Sequence, residues 1–215
     1  MHVLVQEKFE EPDDPASLDH EPLVVHQRTE PTHNQALIIF VHGLGGRRYG
    51  KKATWGHFPG YVYEDFQQLD VGQYAFHTLL GRCKFWESVS LETEAEVLAG
   101  IIRDGKEYRK IILVGHSMGG LLCMGAICHA LNTRQPQALK RLGGLILMAT
   151  PQTGSQRVPK FLSWFSKDFY ALRPHGDFVT RLHETFVNTL VLDEGYAPPD
   201  RTVLPTWAVL GASDF

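Results

Sequence analysis

The stretch KIILVGHSMGGLLCMGAICHAL, residues 110–131, restricts the fold of this chain more than any other. Residues 110–114 are apolar after the leading lysine, the pattern of a strand covered on both faces. A helical pattern follows at once, from 118 to about 131. Continuous apolar runs recur at 36–41, 145–149 and 206–210. Before the quoted stretch, Ser90 offers an N-cap, and Glu92, Glu94 and Glu96 favour the positive end of a helix. Leu91, Ala95, Leu98 and Ile102 share one face of that helix, which stops near Gly105. Strands alternating with helices in this way form βαβ units and a mostly parallel sheet.

The rest of the chain fits around that frame. Two short strands, 2–8 and 23–27, flank the acidic loop EEPDDPASLDHEP, and a weaker strand is read at 74–79. At 215 residues the chain suits one α/β domain. Residues 1–35 form its N-terminal strands, and 156–204 an insertion. Val158, Phe161, Leu162, Phe165, Phe169 and Leu172 fall at helical spacing there, as expected for a helical lid over the carboxyl edge of the sheet.

Composition excludes several functions. A formal charge of −3 gives no reason to expect a nucleic-acid partner. No apolar run approaches the ~20 residues that span a bilayer, which leaves peripheral contact as the membrane option. The N-terminus carries acidic residues and too short an apolar run for a signal peptide. Cys83, Cys123 and Cys128 form no CxxC pair and read as small buried residues of a reducing, cytoplasmic protein. With no zinc-ligand spacing, neither metal nor cofactor is expected.

Gly115-His116-Ser117-Met118-Gly119 is a G-x-S-x-G sequence with a strand before it and a helix after it. In that setting the serine occupies a tight turn that exposes its Oγ at the sheet's carboxyl edge. The glycines leave room where a side chain would meet neighbouring strands. A glycine-rich turn that merely contains a serine is the alternative, and it gives the upstream loop no task.

That loop, LIIFVHGLGGRRYGKK at residues 37–52, has two readings. Gly45, Gly50 and Lys51 match a phosphate-binding loop, but Lys52 stands where Ser or Thr should hold magnesium, and no later strand ends in a Walker-B aspartate. The second reading is an oxyanion loop. Acyl transfer through a serine needs two fixed N–H donors, one from Met118 after the nucleophile and one from Leu44 in the loop. His42 shapes this loop. Arg47, Arg48, Lys51 and Lys52 beside it are either a solvated cluster or a receptor for an anionic head group.

In this arrangement an acid follows the serine in the chain, and a histidine follows the acid. Asp214, in a short loop after an apolar strand, is placed to orient an imidazole; Asp193 and Asp200 lie in polar, proline-containing stretches. Only Phe215 follows Asp214, and none of His42, His57, His77, His116, His175 or His183 fits the base. The sequence therefore reads as C-terminally truncated before the last strand and helix, with weak turnover expected of the chain alone.

LIIFVHGLGG, LVGHSMGG and LMATPQTGS, in that order, resemble the lipase-type esterases of the α/β-hydrolase superfamily. Within it they are similar to the serine-active-site-containing (SERAC-like) hydrolases and their bacterial relatives, over nearly the whole chain. The resemblance implies Ser117 as nucleophile, Asp214 as acid, Leu44 and Met118 as oxyanion donors, and a histidine a few tens of residues beyond Asp214. It also implies that such chains occur as one domain of longer proteins. The function expected is a serine hydrolase or acyltransferase acting on small-molecule carboxylic esters, lipids among them. A non-catalytic module of the same fold, binding an acyl ligand or a partner protein, is the alternative. The elbow carries its own test, because φ at Ser117 should be positive, and at Gly119 a methyl group should find no room.

Overall fold

Three apolar runs of the sequence become the middle of a sheet. The computed structural model describes residues 1–28, 36–43, 45–76, 91–150, 182, 184–186 and 204–209. In chain order its elements are β1 (His2–Gln6), β2 (Leu23–Arg28), β3 (Ala36–Val41), α1 (Phe58–Asp65), β4 (Leu69–Tyr74), α2 (Leu91–Asp104), β5 (Lys110–His116), α3 (Met118–Asn132), α4 (Pro136–Arg141), β6 (Leu142–Met148) and β7 (Thr206–Val209). The seven strands lie in the order β1-β2-β4-β3-β5-β6-β7. Only the β2–β4 pairing is antiparallel, so β1 and β2 run against the other five. Val41 is level with Gly115, Gly115 with Leu147, and Met148 with Val209, which brings four strand ends to one edge.

Both faces of the central strands are covered, as their unbroken apolar runs require. Leu37, Ile39 and Val41 of β3 join Ile111 and Leu113 of β5 in the larger core cluster, beneath α2 and α3. The alternate residues Ile38, Phe40 and Val114 pack with Val62 and Tyr63 of α1 on the other face. On α2, Ala95, Leu98, Ala99 and Ile102 are buried, the face read from the sequence. A methyl group on Gly125 of α3 would lie 3.0 Å from the Ala95 Cβ, so the two helices meet closely at small residues. Cys123 and Cys128 are free thiols buried in α3, and burial pushes Cys128 up to about 11.

The strand expected at 74–79 overlaps the observed one only at Tyr74: β4 runs Leu69–Tyr74, Ala75 and Phe76 lie beyond it, and 77–79 lie outside the described residues. Asp70 and Gly72 disguise β4, since both residue types are disfavoured in strands. Tertiary contacts override that preference. The Tyr108 hydroxyl donates to the buried Asp70 carboxylate at 2.8 Å, and Gly72 makes room for the Leu23 and Ile39 side chains. Pro59 and Gly60 likewise hide α1: the proline sits in its first turn, where no N–H is needed, and the ring of Phe9 presses on Gly60. Of the interval expected as a lid, 156–204, most lies outside the described residues. Leu182, Phe186 and Leu204, which are described, are buried in the α2–α3 core. Among the described residues, no helix is long and apolar enough to cross a membrane.

Buried polar groups fasten the N-terminal strands to the loop after β3. Arg48 is not part of a solvated basic cluster; its guanidinium donates to the Leu18, Glu21 and Pro22 carbonyls. His26 has no exposed surface, and its two ring nitrogens face the Gln6 side-chain oxygen at 2.8 Å and the Tyr49 hydroxyl at 3.0 Å. A neutral imidazole satisfies both, donating to Gln6 and accepting from Tyr49. Burial pushes His26 down to about 4. The unfolded chain takes up its proton near the ordinary value of about 6.5. The neutral ring's contribution is therefore fully present above that value and is lost as the pH falls toward 4, a change of roughly 3 kcal/mol. Urea denaturation at pH 7.5 and pH 4 should show this loss, and the gap between the two midpoints should shrink in His26→Gln. An unchanged gap would assign the acid sensitivity to other groups.

Candidate active site

Ser117 joins β5 to α3 with φ 52° and ψ −120°, an uncommon state for a residue with a Cβ. Its N–H donates to the Met148 carbonyl on β6 at 2.9 Å, and its carbonyl accepts from the Gly120 N–H at 3.0 Å. The glycines around it each face backbone or a packed side chain. A Cβ on Gly115 would lie 2.5 Å from the Gly120 Cα, and one on Gly119 would overlap the Val41 and His42 carbonyls. A Cβ on Gly120 would overlap the Thr150 side chain. The turn is thus held between the end of β3 and the end of β6, and only glycine fits its three close approaches. Met118, half-buried against the larger core, is the first residue of α3, so its N–H has no acceptor within the helix.

The loop after β3 rests on this turn. A Cβ on Gly43 would lie 3.1 Å from each of the His116 Nδ1, the His116 carbonyl oxygen and the Ser117 Cβ. The Gly43 carbonyl accepts from the Gly46 N–H at 3.0 Å and from the His42 Nδ1 at 2.7 Å. Gly45 takes φ 66°, which lets the loop turn back. His42 is buried and stacks on Phe76, with ring centroids 4.8 Å apart and planes 7° apart. Burial holds its imidazole below the usual histidine range, and the same is true of His116. His116 meets the Trp55 ring edge-on at 6.0 Å.

The structure therefore brings together three sequence-marked segments: His42 with Gly43, Ser117 with Met118, and Ala149 with Thr150. Leu44 and Asp214 lie outside the described residues. So do Asp193, Asp200, His77, His175 and His183. β7 ends at Val209 on the edge that carries Ser117, with the Ala149 N–H donating to the Val209 carbonyl at 2.9 Å. Lys51 and Lys52 are exposed, and α1 begins only at Phe58, so the glycine loop does not open directly into a helix as a phosphate cradle would. Sequence reasoning missed the strained Ala149, whose φ is 49° beside Ser117 on the next strand, and the wall formed by Trp55. Trp55 belongs to no short motif, and LMATPQTGS gives no sign of the strain at Ala149; only the packing of adjacent strand ends reveals them.

The sequence profile of the alpha/beta hydrolase family matches residues 38–214. No curated protein matches the chain. Among solved structures it is similar to the mature form of the lipase BlEst2 from Bacillus licheniformis, with 22% identity and a TM-score of 0.48 over 74% of this chain and 62% of that one. It is also similar to a lipase-esterase related protein from Clostridium acetobutylicum, with 13% identity and a TM-score of 0.41 over 70% of this chain and 60% of that one. For esterase B from Lactobacillus rhamnosis the values are 16% and 0.40, over 74% and 48%. The chain thus spans less than two thirds of the length of each of these structures.

Strain at the turn has a measurable sign. Backbone strain of this kind is worth about 1–3 kcal/mol, and glycine's greater unfolded-state entropy returns about 0.5–1 kcal/mol of it. Ser117→Gly should accordingly raise the urea midpoint slightly. Gly119→Val should lower it sharply, because the carbonyls it would strike belong to β3 and cannot retreat. Equal midpoints for the two variants would contradict the strained turn.

Proposed function

This chain belongs to the alpha/beta hydrolase family, and we propose that it is a serine hydrolase of the esterase or lipase type, acting on carboxylic esters through an acyl-enzyme. The observation that supports this most is the backbone of Ser117, at φ 52° between β5 and the N-terminus of α3, with the Gly43 loop packed directly against it. A nucleophile so placed needs no metal and no cofactor.

In the proposed reaction the Ser117 Oγ attacks the ester carbonyl while a histidine takes its proton. Asp214 orients that histidine and stabilises its charged form. The base belongs beyond Asp214, as the resemblance to the SERAC-like hydrolases suggests. The carbonyl oxygen becomes an oxyanion held by the Met118 and Leu44 N–H groups, each worth roughly 3–4 kcal/mol of transition-state stabilisation. The dipole of α3 favours negative charge at the same place. Collapse of the tetrahedral intermediate expels the alcohol, which receives the proton from the histidine. Water or another acceptor then releases the acyl group. The substrate class is a small-molecule ester or a lipid, met in solution or by peripheral contact with a membrane. The insertion at 156–204 acts as the lid in a domain of a longer protein. Free, buried Cys123 and Cys128 suit a cytoplasmic setting.

A fluorophosphonate probe applied to the intact gene product, with the segment that carries the base, tests the proposal. Labelling is expected, and Ser117→Ala should abolish it while leaving the denaturation transition intact. Labelling that survives the substitution would move the nucleophile elsewhere. A folded protein that takes no label would point to a module that binds an acyl ligand or a partner without chemistry.

A further inference from the structure

We infer that the loop between β3 and α1, with the first turn of α1, is a docking surface for an anionic lipid bilayer at the sheet edge that carries Ser117. It deepens the proposed function and rests on that reading, since it brings an esterase or lipase to its lipid.

The loop sorts its side chains by direction. Arg48 and Tyr49 turn inward and are buried, the first on the Leu18, Glu21 and Pro22 carbonyls and the second on His26. Arg47, Lys51 and Lys52 are exposed, and among the described residues no ion pair holds any of the three. One acid lies against this turn: the Glu11 carboxylate accepts from the Gly50 N–H at 3.2 Å. The turn therefore keeps a surplus of positive charge on a chain whose formal charge is −3. Its backbone is fastened, with the Ala53 N–H donating to the Gly50 carbonyl at 2.8 Å and the Thr54 N–H to the Arg47 carbonyl at 3.0 Å. Trp55 then ties the loop to the site, packing on Phe40 at 5.1 Å and meeting His116, the residue before Ser117, at 6.0 Å.

A solvated basic loop accounts for the cations alone and leaves the rings beside them without a reason. Phe58 is 42% exposed and Tyr61 60% exposed, three residues apart on one face of α1, while Pro59, Val62 and Tyr63 point into the protein. Cations that reach lipid phosphates and carboxylates, next to aromatic rings that enter the head-group layer, are what an anionic bilayer surface selects. Charge along α1 is arranged to match. The helix leads from the carboxyl end of β3 to the amino end of the parallel β4, so its acids, Glu64 and Asp65, lie at the far end from the basic turn. A bilayer seated on Lys51, Lys52, Phe58 and Tyr61 thus meets the same sheet edge as the Ser117 turn.

The experiment sediments the intact gene product with vesicles of phosphatidylcholine, alone or with about 30 mol% phosphatidylserine, at about 50 mM and about 500 mM salt. Binding to the anionic vesicles only is expected, and it should weaken at the higher salt as the charges are screened. Lys51→Gln with Lys52→Gln should lower the partition coefficient roughly 10–30-fold, about fivefold for each cation. Phe58→Ser with Tyr61→Ser should lower it about 3–10-fold at both salts, since insertion of a ring is not screened. Lys106→Gln with Lys140→Gln removes two exposed cations before β5 and β6, at the opposite edge, and should leave binding unchanged. Equal binding to both kinds of vesicle, or none to either, overturns the inference. So does an equal loss from the two lysine pairs, or no loss from the aromatic pair. Sedimentation needs no turnover, so a protein that docks but takes no fluorophosphonate refutes the Ser117 reaction and leaves the docking surface standing.

Discussion

The contact between the first turn of α3 and the last peptides of β3 governs how everything else at the sheet edge is arranged. Gly119 lies so close to the Val41 and His42 carbonyls that any side chain is excluded, and Gly115 lies as close to Gly120. These are backbone-to-backbone approaches, so they set the height of Ser117 above the sheet more firmly than side-chain packing could. Side chains change rotamer under pressure, whereas a strand carbonyl can move only with its hydrogen-bonded neighbours. The Ser117 N–H bond to Met148 extends the constraint to β6. Positive φ at Ser117, and again at Ala149 one strand away, is what the chain adopts when both ends of the turn are fixed.

Such strain persists only on a rigid support, and the support is two-sided. On one face α2 and α3 bury Leu37, Ile39, Val41, Ile111 and Leu113; on the other, α1 closes over Ile38, Phe40 and Val114. A fully buried side chain of this size stabilises by roughly 1.5–3 kcal/mol, so a few of them outweigh a strain of about 1–3 kcal/mol. Tyr74 joins the two regions of the larger face, its hydroxyl donating to Glu94 in the first turn of α2 at 2.8 Å. Arg48 holds the loop that follows Gly46 against the N-terminal strands through three backbone carbonyls. The site is thus carried by strand ends, and the loop that completes it is tied down at its far side.

What could be read from the sequence follows from which interactions are local. β3, β5 and the start of α3 were legible because burial on both faces demands unbroken apolar runs, and Gly-x-Ser-x-Gly with its flanks is a local signature of the turn. β4 was misplaced because Asp70 is held by a partner distant in sequence, the Tyr108 hydroxyl. α1 was missed because its proline and glycine look like breakers until Phe9 is seen against Gly60. Ser117 and Met118 fall where the pattern put them. Leu44 and Asp214 are outside the described residues, so their roles rest on chain order and on the chemistry assigned to Ser117. His42 was read as shaping its loop, but its partner could not be named, since a ring-to-carbonyl bond leaves no trace in composition or spacing.

Neutrality of the surrounding imidazoles is the last requirement the proposed chemistry places on this edge. A base that accepts the Ser117 proton becomes positively charged, and its cost rises with any like charge nearby. His42 and His116 both lie close to Gly43, and burial holds both below the usual histidine range, with Arg48 and His116 each adding to the effect at His42. Both rings therefore stay uncharged at neutral pH. They contribute shape and, in His42, a hydrogen bond, without competing for the proton that the reaction must move. A lysine or arginine at either place would leave a permanent charge beside the site. Histidine, buried enough to stay neutral, supplies the donor and leaves the field at the oxyanion to the peptide N–H groups and the α3 dipole.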